Sequence, residues 1–539
     1  MKLNPMKLVE VLVSLVGFGL TATISRDPSI SSTFVDVPAE VPSDASAVID
    51  PDFPGLAFEE ASFVRYAQDD DGNINAFSTN LMEAIYSRTG GKPIIRLGGT
   101  SADYGKYLPG QVEPALPVAE QDNYQDVGHT TIGPSYWPLA HNFPNAAYMV
   151  QAPLATTNIS EAIAWTQTAI DAIGIDSTHS IQVGNEPDLY SDTYTGEGGI
   201  ELNPPGYQGR LSNESYVGNY TKYVTAIKEA VDVPDGRFFT AFDVSTHFGA
   251  GVMKEQYILA VDRCFELGID ADSIIKEVSH HYYQKQAGTA ADLGSELMNM
   301  SMTHTHLDQY KVRIAWLQQN KPDVPFILNE VGNSLQPTHT YEYQARLGSA
   351  LWQVDFYLYS MAIGVARINY QQIMHSGFDM WLPVASAGLP AQTFSNYYSQ
   401  PFVADFIGSS GTTRVAQLSL EGEYENVAAY AAYDGGALSR IAVANLQYWN
   451  ATSSTEDRGG VTLDLALPDG VESVTVYHLN SPAGAGAAAD SITYGGSQWT
   501  YGSLGTEVKG VRDDTEVVAV VDGVASVTVA SSEAVLVWL

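Results

Sequence analysis

Ser180–Asp188 reads SIQVGNEPD. Ile181 and Val183 alternate with polar residues as a short strand requires. Gly184 breaks the run, and Pro187, which has no N–H, ends strand pairing. The stretch is a strand that delivers an acid, Glu186, at its carboxyl end. Phe326–Ser334, FILNEVGNS, repeats the plan with Glu330. In α/β folds the chemistry sits at that end of the strands.

Six more runs share the pattern: Gly55–Phe58, Pro93–Leu97, Ala147–Val150, Phe238–Phe242, Glu277–Ser279 and Ala366–Asn369. Amphipathic segments lie between the strands, at Ile159–Ile173, Ser215–Val231, Lys254–Leu267, Thr305–Gln319 and Tyr341–Ile363. Strands alternating with helices in this way predict an α/β fold, a (β/α)8 TIM barrel spanning 51–400. An open doubly wound sheet would carry a glycine-rich phosphate loop after its first strand, and Gly55–Ser62 offers none. From residue 401 the helical periodicity fades. Asn426–Tyr433, Ser439–Asn445, Val461–Leu467, Ser473–His478, Glu516–Val521 and Val524–Val529 are β-branched or alternating. They predict an antiparallel β-sandwich over 401–539. Residues 26–50 are extended and Pro-rich, placed to add a strand to that sandwich. Ala483–Ala489 (AGAGAAA) reads as a flexible surface loop.

The 539 residues are 45% hydrophobic and 16% charged, enough apolar material for full cores. The formal charge is −36. Such a field repels phosphate backbones, anionic lipid and polysulfated chains, so neither nucleic acid nor membrane is an expected partner. A single cysteine, Cys264, excludes an intrachain disulfide and thiolate metal clusters, and reads as a small buried hydrophobe.

Residues 1–25 have a basic start (Lys2, Lys7), an apolar run Leu8–Leu20 and small residues at Thr21–Thr23, the plan of a secretory signal peptide. Five glycosylation sequons follow, at Asn158, Asn213, Asn219, Asn299 and Asn450. Together they predict a secreted, extracellular glycoprotein.

The strand ends carry acids, amides and aromatics, a set suited to sugars, whose hydroxyls donate to carboxylates and whose C–H faces pack on rings. Strands four and seven face each other across an eight-strand barrel, so Glu186 and Glu330 converge. Cleaving a glycosidic bond takes two such groups: one protonates the leaving oxygen, and the other attacks the anomeric carbon or activates water. Asn185 is placed to donate to the 2-hydroxyl. His280 and His281 are adjacent on a strand and point to opposite faces, so they do not pair as metal ligands, and no metal or other cofactor is expected. Tyr282 is expected to point inward and hydrogen-bond the nucleophile, and Arg96 to form a buried salt bridge inside the barrel.

GLAFE near the start, RLGGTSAD, GNEPDLY, SHHYY, NEVGNS and GSALWQVDFYLYSMAIGVARINY resemble the large clan of retaining glycosidases, and within it glycoside hydrolase family 79, the group with fungal and bacterial β-glucuronidases and heparanase. The resemblance runs from about Pro54 onward. It implies Glu186 as acid/base, Glu330 as nucleophile, Asn185 and Tyr282 as sugar contacts, and Glu59 as an acceptor for a sugar hydroxyl. It also implies that the stretch after the nucleophile, here with Asn333 and Gln336, cradles the glucuronate carboxylate. That stretch departs from the family pattern: its far-end glycines are missing, and Pro337 has no N–H to donate.

The expected function is a secreted retaining exo-β-glycosidase, a β-glucuronidase acting on a carbohydrate substrate. Two alternatives stand beside it: the same machinery on a neutral sugar, and a catalytically silent carbohydrate-binding barrel. The retaining mechanism predicts a carboxyl separation of ~5–5.5 Å and an acidic optimum.

Overall fold

The structure, a computed structural model, describes residues 30–123, 130–190, 208–245, 259–336, 340–375, 378–422 and 424–539. The proposed signal segment and residues 254–258 of the expected helix Lys254–Leu267 lie outside them.

Eight parallel strands close into a barrel in chain order: Pro54–Glu59, Ile94–Gly98, Ala147–Ala152, Thr178–Val183, Phe239–Val244, Ile275–Ala287, Phe326–Gln336 and Ile368–Gln372. The eighth pairs with the first, from Ile368↔Pro54 to Gln372↔Phe58. All eight expected strands are present. The sixth and seventh run on past the barrel and stay paired as far as Ala287↔Gln336.

The barrel interior is polar. Arg96, Gln151, Gln182, Asp243 and Asn329 are all buried there, and they survive because they bond one another. Gln182 Nε2 donates to the Gly184 carbonyl at 2.7 Å, and Asn329 Nδ2 donates to Gln182 Oε1 at 2.9 Å and Asp243 Oδ1 at 3.1 Å.

The carboxyl-terminal domain packs a three-stranded sheet against a larger, antiparallel one. Ile30–Asp36, from the start of the described chain, pairs parallel with Gly460–Ala466, which pairs antiparallel with Val524–Ala530. The larger sheet is buried on both faces. Ala429, Ala431, Ile441, Val443, Val535 and Val537 join the sandwich core. Their neighbours Ala428, Tyr430, Ala432, Ala442, Ala444 and Leu536 join the barrel's cluster. The element they meet is the helix Leu347–Ile363, in which every residue from Leu347 to Met361 is buried. A helix without a polar face needs cover on all sides, and the sheet supplies it.

Ala483–Ala489 departs from expectation. Ala485 and Ala487 are buried, and their carbonyls accept from Gly348 N and Leu347 N at 2.9 Å each, capping that helix. A Cβ on Gly484 would fall 2.3 Å from the Trp449 carbonyl oxygen. The alanines are there for close approach to that helix and Gly484 for close approach to Trp449, rather than for mobility.

Candidate active site

The turn after strand four is conformationally strained. Gly184 has φ 87°, and Glu186, with a side chain, sits in the left-handed region at φ 45°, ψ 52°. Pro187 then starts a 3₁₀ turn. Such strain persists only where the surroundings fix it. Here the Glu186 N–H donates to the Asp243 carbonyl at 3.0 Å. Asp103 takes N–H bonds from Leu154, Ala155 and Asn185 and a hydroxyl from Tyr190, tying the loop after strand three to the GNEP turn. Burial pushes the Asp103 carboxyl up to about 6 against the pull of those donors. Strand five ends in two more left-handed residues, Phe242 (φ 80°) and Asp243 (φ 48°).

Arg96, fully buried on strand two, organises the floor of the site. Its guanidinium reaches Glu330 Oε2 at 2.6 Å, Asn185 Oδ1 at 2.5 Å, Asp243 Oδ2 at 2.8 Å, Gln182 Oε1 at 3.1 Å and Gln151 Oε1 at 3.2 Å. This is the buried salt bridge expected of it. Above it, His281 spans two acids: Nδ1 lies 3.0 Å from Glu186 Oε1, and Nε2 lies 3.0 Å from Asp243 Oδ2. Glu330 Oε1 is 3.9 Å from Nδ1. The Tyr283 hydroxyl donates to Glu330 Oε1 at 2.6 Å. A carboxylate oxygen of Glu186 and one of Glu330 lie within 4.8 Å of each other.

These contacts drive the two glutamates apart in acidity. Burial works to raise both. At Glu330 it is outweighed by the charges of His281 and Arg96 and by the Tyr283 hydroxyl, so the carboxyl stays below its usual range. At Glu186 burial prevails over the His281 contact, and the neighbouring Glu330 charge adds to it, so the carboxyl is raised. His281, despite its burial, is raised well above an ordinary histidine by Asp243 and Glu330. Glu186, His281 and Glu330 are close enough together to surround a metal, which would have to displace the proton that the flanking carboxylates favour on His281.

Several expected contacts fall elsewhere. Tyr282 points out of the barrel, packing 4.7 Å from the Phe356 ring and donating to Gln284; Tyr283 is the residue on Glu330. The pleat sets this parity: Ser279, whose hydroxyl donates to Asp243, His281 and Tyr283 face in, while His280 packs outward on Tyr310 and Phe326. Asn333 also faces away, its amide N–H donating to Ser349 Oγ at 2.5 Å and its carbonyl accepting from Tyr370. Glu59 is 4% exposed and caps the following helix: its two oxygens take the Ala61 and Ser62 N–H groups and the Ser62 and Ser101 hydroxyls, leaving no acceptor for a sugar. The Gln336 side chain lies outside the described residues. Asn185 does border the site, on Arg96. Sequence reasoning missed Asp243, His281 as a bridge, Tyr283 and Asp103; the acid closing strand five in TAFDVS was the available signal.

Residues 429–536 match the family model described as the glycosyl hydrolase family 79 C-terminal beta domain. A β-glucuronidase of Neurospora crassa is 26% identical over 523 residues, 90% of each chain. A β-glucuronidase of Aspergillus niger is 27% identical over 537 residues, 94% of each. Among solved structures, a 4-O-α-L-rhamnosyl-β-D-glucuronidase of Fusarium oxysporum superposes with a TM-score of 0.74 at 19% identity, covering 94% of this chain and all of that one. A family 51 arabinofuranosidase of Xanthomonas axonopodis pv. citri gives 0.59 at 14%, covering 94% and 99%. The sandwich thus matches that family's own C-terminal domain, and β-glucuronidases are similar to the chain along nine-tenths of its length.

Proposed function

We propose that this glycoside hydrolase is a retaining exo-β-glycosidase that removes terminal glucuronate by double displacement. The observation that carries the reading is the pair Glu186 and Glu330, with carboxylate oxygens within 4.8 Å but oppositely poised. An inverting pair stands ~6.5–9.5 Å apart to admit a water. Glu330, held ionised by Arg96, His281 and Tyr283, attacks the anomeric carbon. Glu186, raised and partly open to solvent, gives its proton to the leaving oxygen and takes one back from the water that releases the sugar. Asn185, fixed through its carbonyl by Arg96 and making only a long 3.5 Å amide contact to Thr100 Oγ1, keeps an N–H for the sugar's 2-hydroxyl.

A second reading, the same chemistry on a neutral sugar, is favoured by one observation. After Glu330, Asn333 is spent on Ser349 and Tyr370, and the Ser334 hydroxyl accepts from Gln344. Nearby Lys285 is paired with Asp292 and Glu296. Turnover of nitrophenyl β-glucuronide against nitrophenyl β-glucoside separates the two. Preference for the glucoside overturns the first reading, and turnover of neither overturns both.

Export is part of the proposal. It rests on the signal-like start and the five sequons, of which Asn158 is exposed and Asn213, Asn219, Asn299 and Asn450 are half-buried. No helix of the described residues is long and apolar enough to cross a membrane. Amino-terminal sequencing of protein from culture medium tests it: a start at Met1 refutes cleavage.

A further inference from the structure

Between barrel and sandwich lies a cavity of about 410 Å³, walled by Tyr341, Arg346, Thr393, Phe394, Trp499 and Tyr501 among others. None of its lining residues takes part in holding Glu186 or Glu330. Two observations distinguish it. Arg346 is half-buried, and among the described residues its guanidinium has no ion pair or hydrogen bond, in a chain of formal charge −36. The walls also offer ring surface: Tyr341 and Phe394 lie 4.7 Å apart at 31°, and Tyr501, edge-on to Phe77, stays 48% exposed. The only acid of the lining, Asp490, is exposed and makes no ion pair with Arg346.

An uncompensated guanidinium calls for an anion, and open ring faces call for C–H groups. An occupant that answers both needs a carboxylate and C–H faces to lie on rings. A uronic acid residue has each of these. We propose that this cavity is a second saccharide site, which holds a uronate residue of an acidic glycan with its carboxylate on Arg346. The inference rests on the reading that the enzyme works on glucuronate-bearing glycans, and it gives the site a purpose: tethering a branched substrate at a distance from the cleaved bond raises its effective concentration there.

The test is calorimetric titration of the full chain with sodium glucuronate, glucose and inorganic phosphate, using the parent, Arg346→Gln and Tyr501→Ala. Two glucuronate sites are expected in the parent. One of them should weaken at least tenfold in Arg346→Gln and several-fold in Tyr501→Ala, with glucose and phosphate failing to displace it. Both variants should turn over nitrophenyl glucuronide like the parent. An Arg346→Gln titration identical to the parent's, or phosphate competing as well as glucuronate, overturns the second site. Because binding is read without turnover, a parent that binds at Arg346 yet cleaves no glucuronide sinks only the catalytic reading.

Discussion

Each end of the barrel sets a histidine against an arginine and carboxylate, yet the two histidines are shifted in opposite directions. At the amino-terminal end, Glu277 is met by Arg367 at 2.7 Å and His179 at 3.3 Å, and Lys276 donates to the His179 carbonyl at 2.6 Å. One acid faces one arginine with a lysine beside it. Burial, together with the Arg367 and Lys276 charges, therefore leaves His179 lowered and neutral despite the pull of Glu277. At the carboxyl-terminal end three acids, Glu186, Asp243 and Glu330, share Arg96 and His281. Two cations cannot neutralise three carboxylates in a buried space, so His281 is pushed toward its charged form and one acid toward keeping its proton. Glu186, the acid without an arginine, is the one raised. The difference between scaffold and catalyst lies in the ratio of acids to bases rather than in the kinds of residue.

The largest expected loss is at Glu330, the proposed nucleophile. Glu330→Gln should lower kcat by at least roughly 10⁴ with the fold intact by circular dichroism. Glu330→Ala supplied with azide should release the α-glycosyl azide. Substantial unaided turnover by Glu330→Gln would remove Glu330 from the mechanism.

His281→Gln should cost about 10²–10³ in kcat/KM, because a fixed charge beside both acids is lost. The parent profile should be a bell on the acid side. Its acid limb is Glu330 gaining a proton as pH falls, and its basic limb is Glu186 losing one as pH rises. His281 lowers both groups, so the variant's limbs should both move to higher pH. His179→Gln should stay within about threefold, with an unmoved profile. Equal losses in the two variants would erase the distinction between the ends.

Tyr283→Phe removes one hydrogen bond to a charged group, about 1.5 kcal/mol or roughly tenfold in kcat/KM, and Tyr282→Phe should change it less than about twofold. Reversed effects would restore the original assignment of Tyr282. The smallest change in activity belongs to Glu277→Gln, which should unfold more easily by about 3 kcal/mol at neutral pH while its folded fraction works normally. Arg367 and His179 hold the Glu277 carboxyl below its usual range against burial, so its contribution is present above an unfolded pKa of about 4.3 and fades as pH falls. The gap in Tm between parent and variant should close in acid.

The eight strands and both glutamates were legible in the sequence because an apolar run ending in an acid is a local pattern. The inward parity of SHHYY was not. Hydropathy distinguishes the two faces of a strand only when one is apolar, and this barrel is lined by Arg96, Gln151, Gln182 and Asn329. Glu59 and Asn333 were misjudged for a related reason: a polar residue at a strand end serves a cap or an outer helix as readily as a ligand, whether its partners are as near as Ala61 and Ser62 or as far as Ser101 and Ser349. The burial of AGAGAAA was hidden because small residues look alike in a loose loop and in a tight contact.

The pairing of Ile30–Asp36 with Gly460–Ala466 has a consequence for how the chain is made. The first described strand leaves the ribosome long before its partner exists. At ~5–20 residues per second the wait is on the order of a minute. Through that time Val35, fully buried in the finished protein, has no sheet to join, and the helix Leu347–Ile363 emerges before the strands that cover it. The sandwich therefore closes last and from both ends of the chain at once, and a ribosome that stalls before its final strands releases a barrel with an uncovered wall.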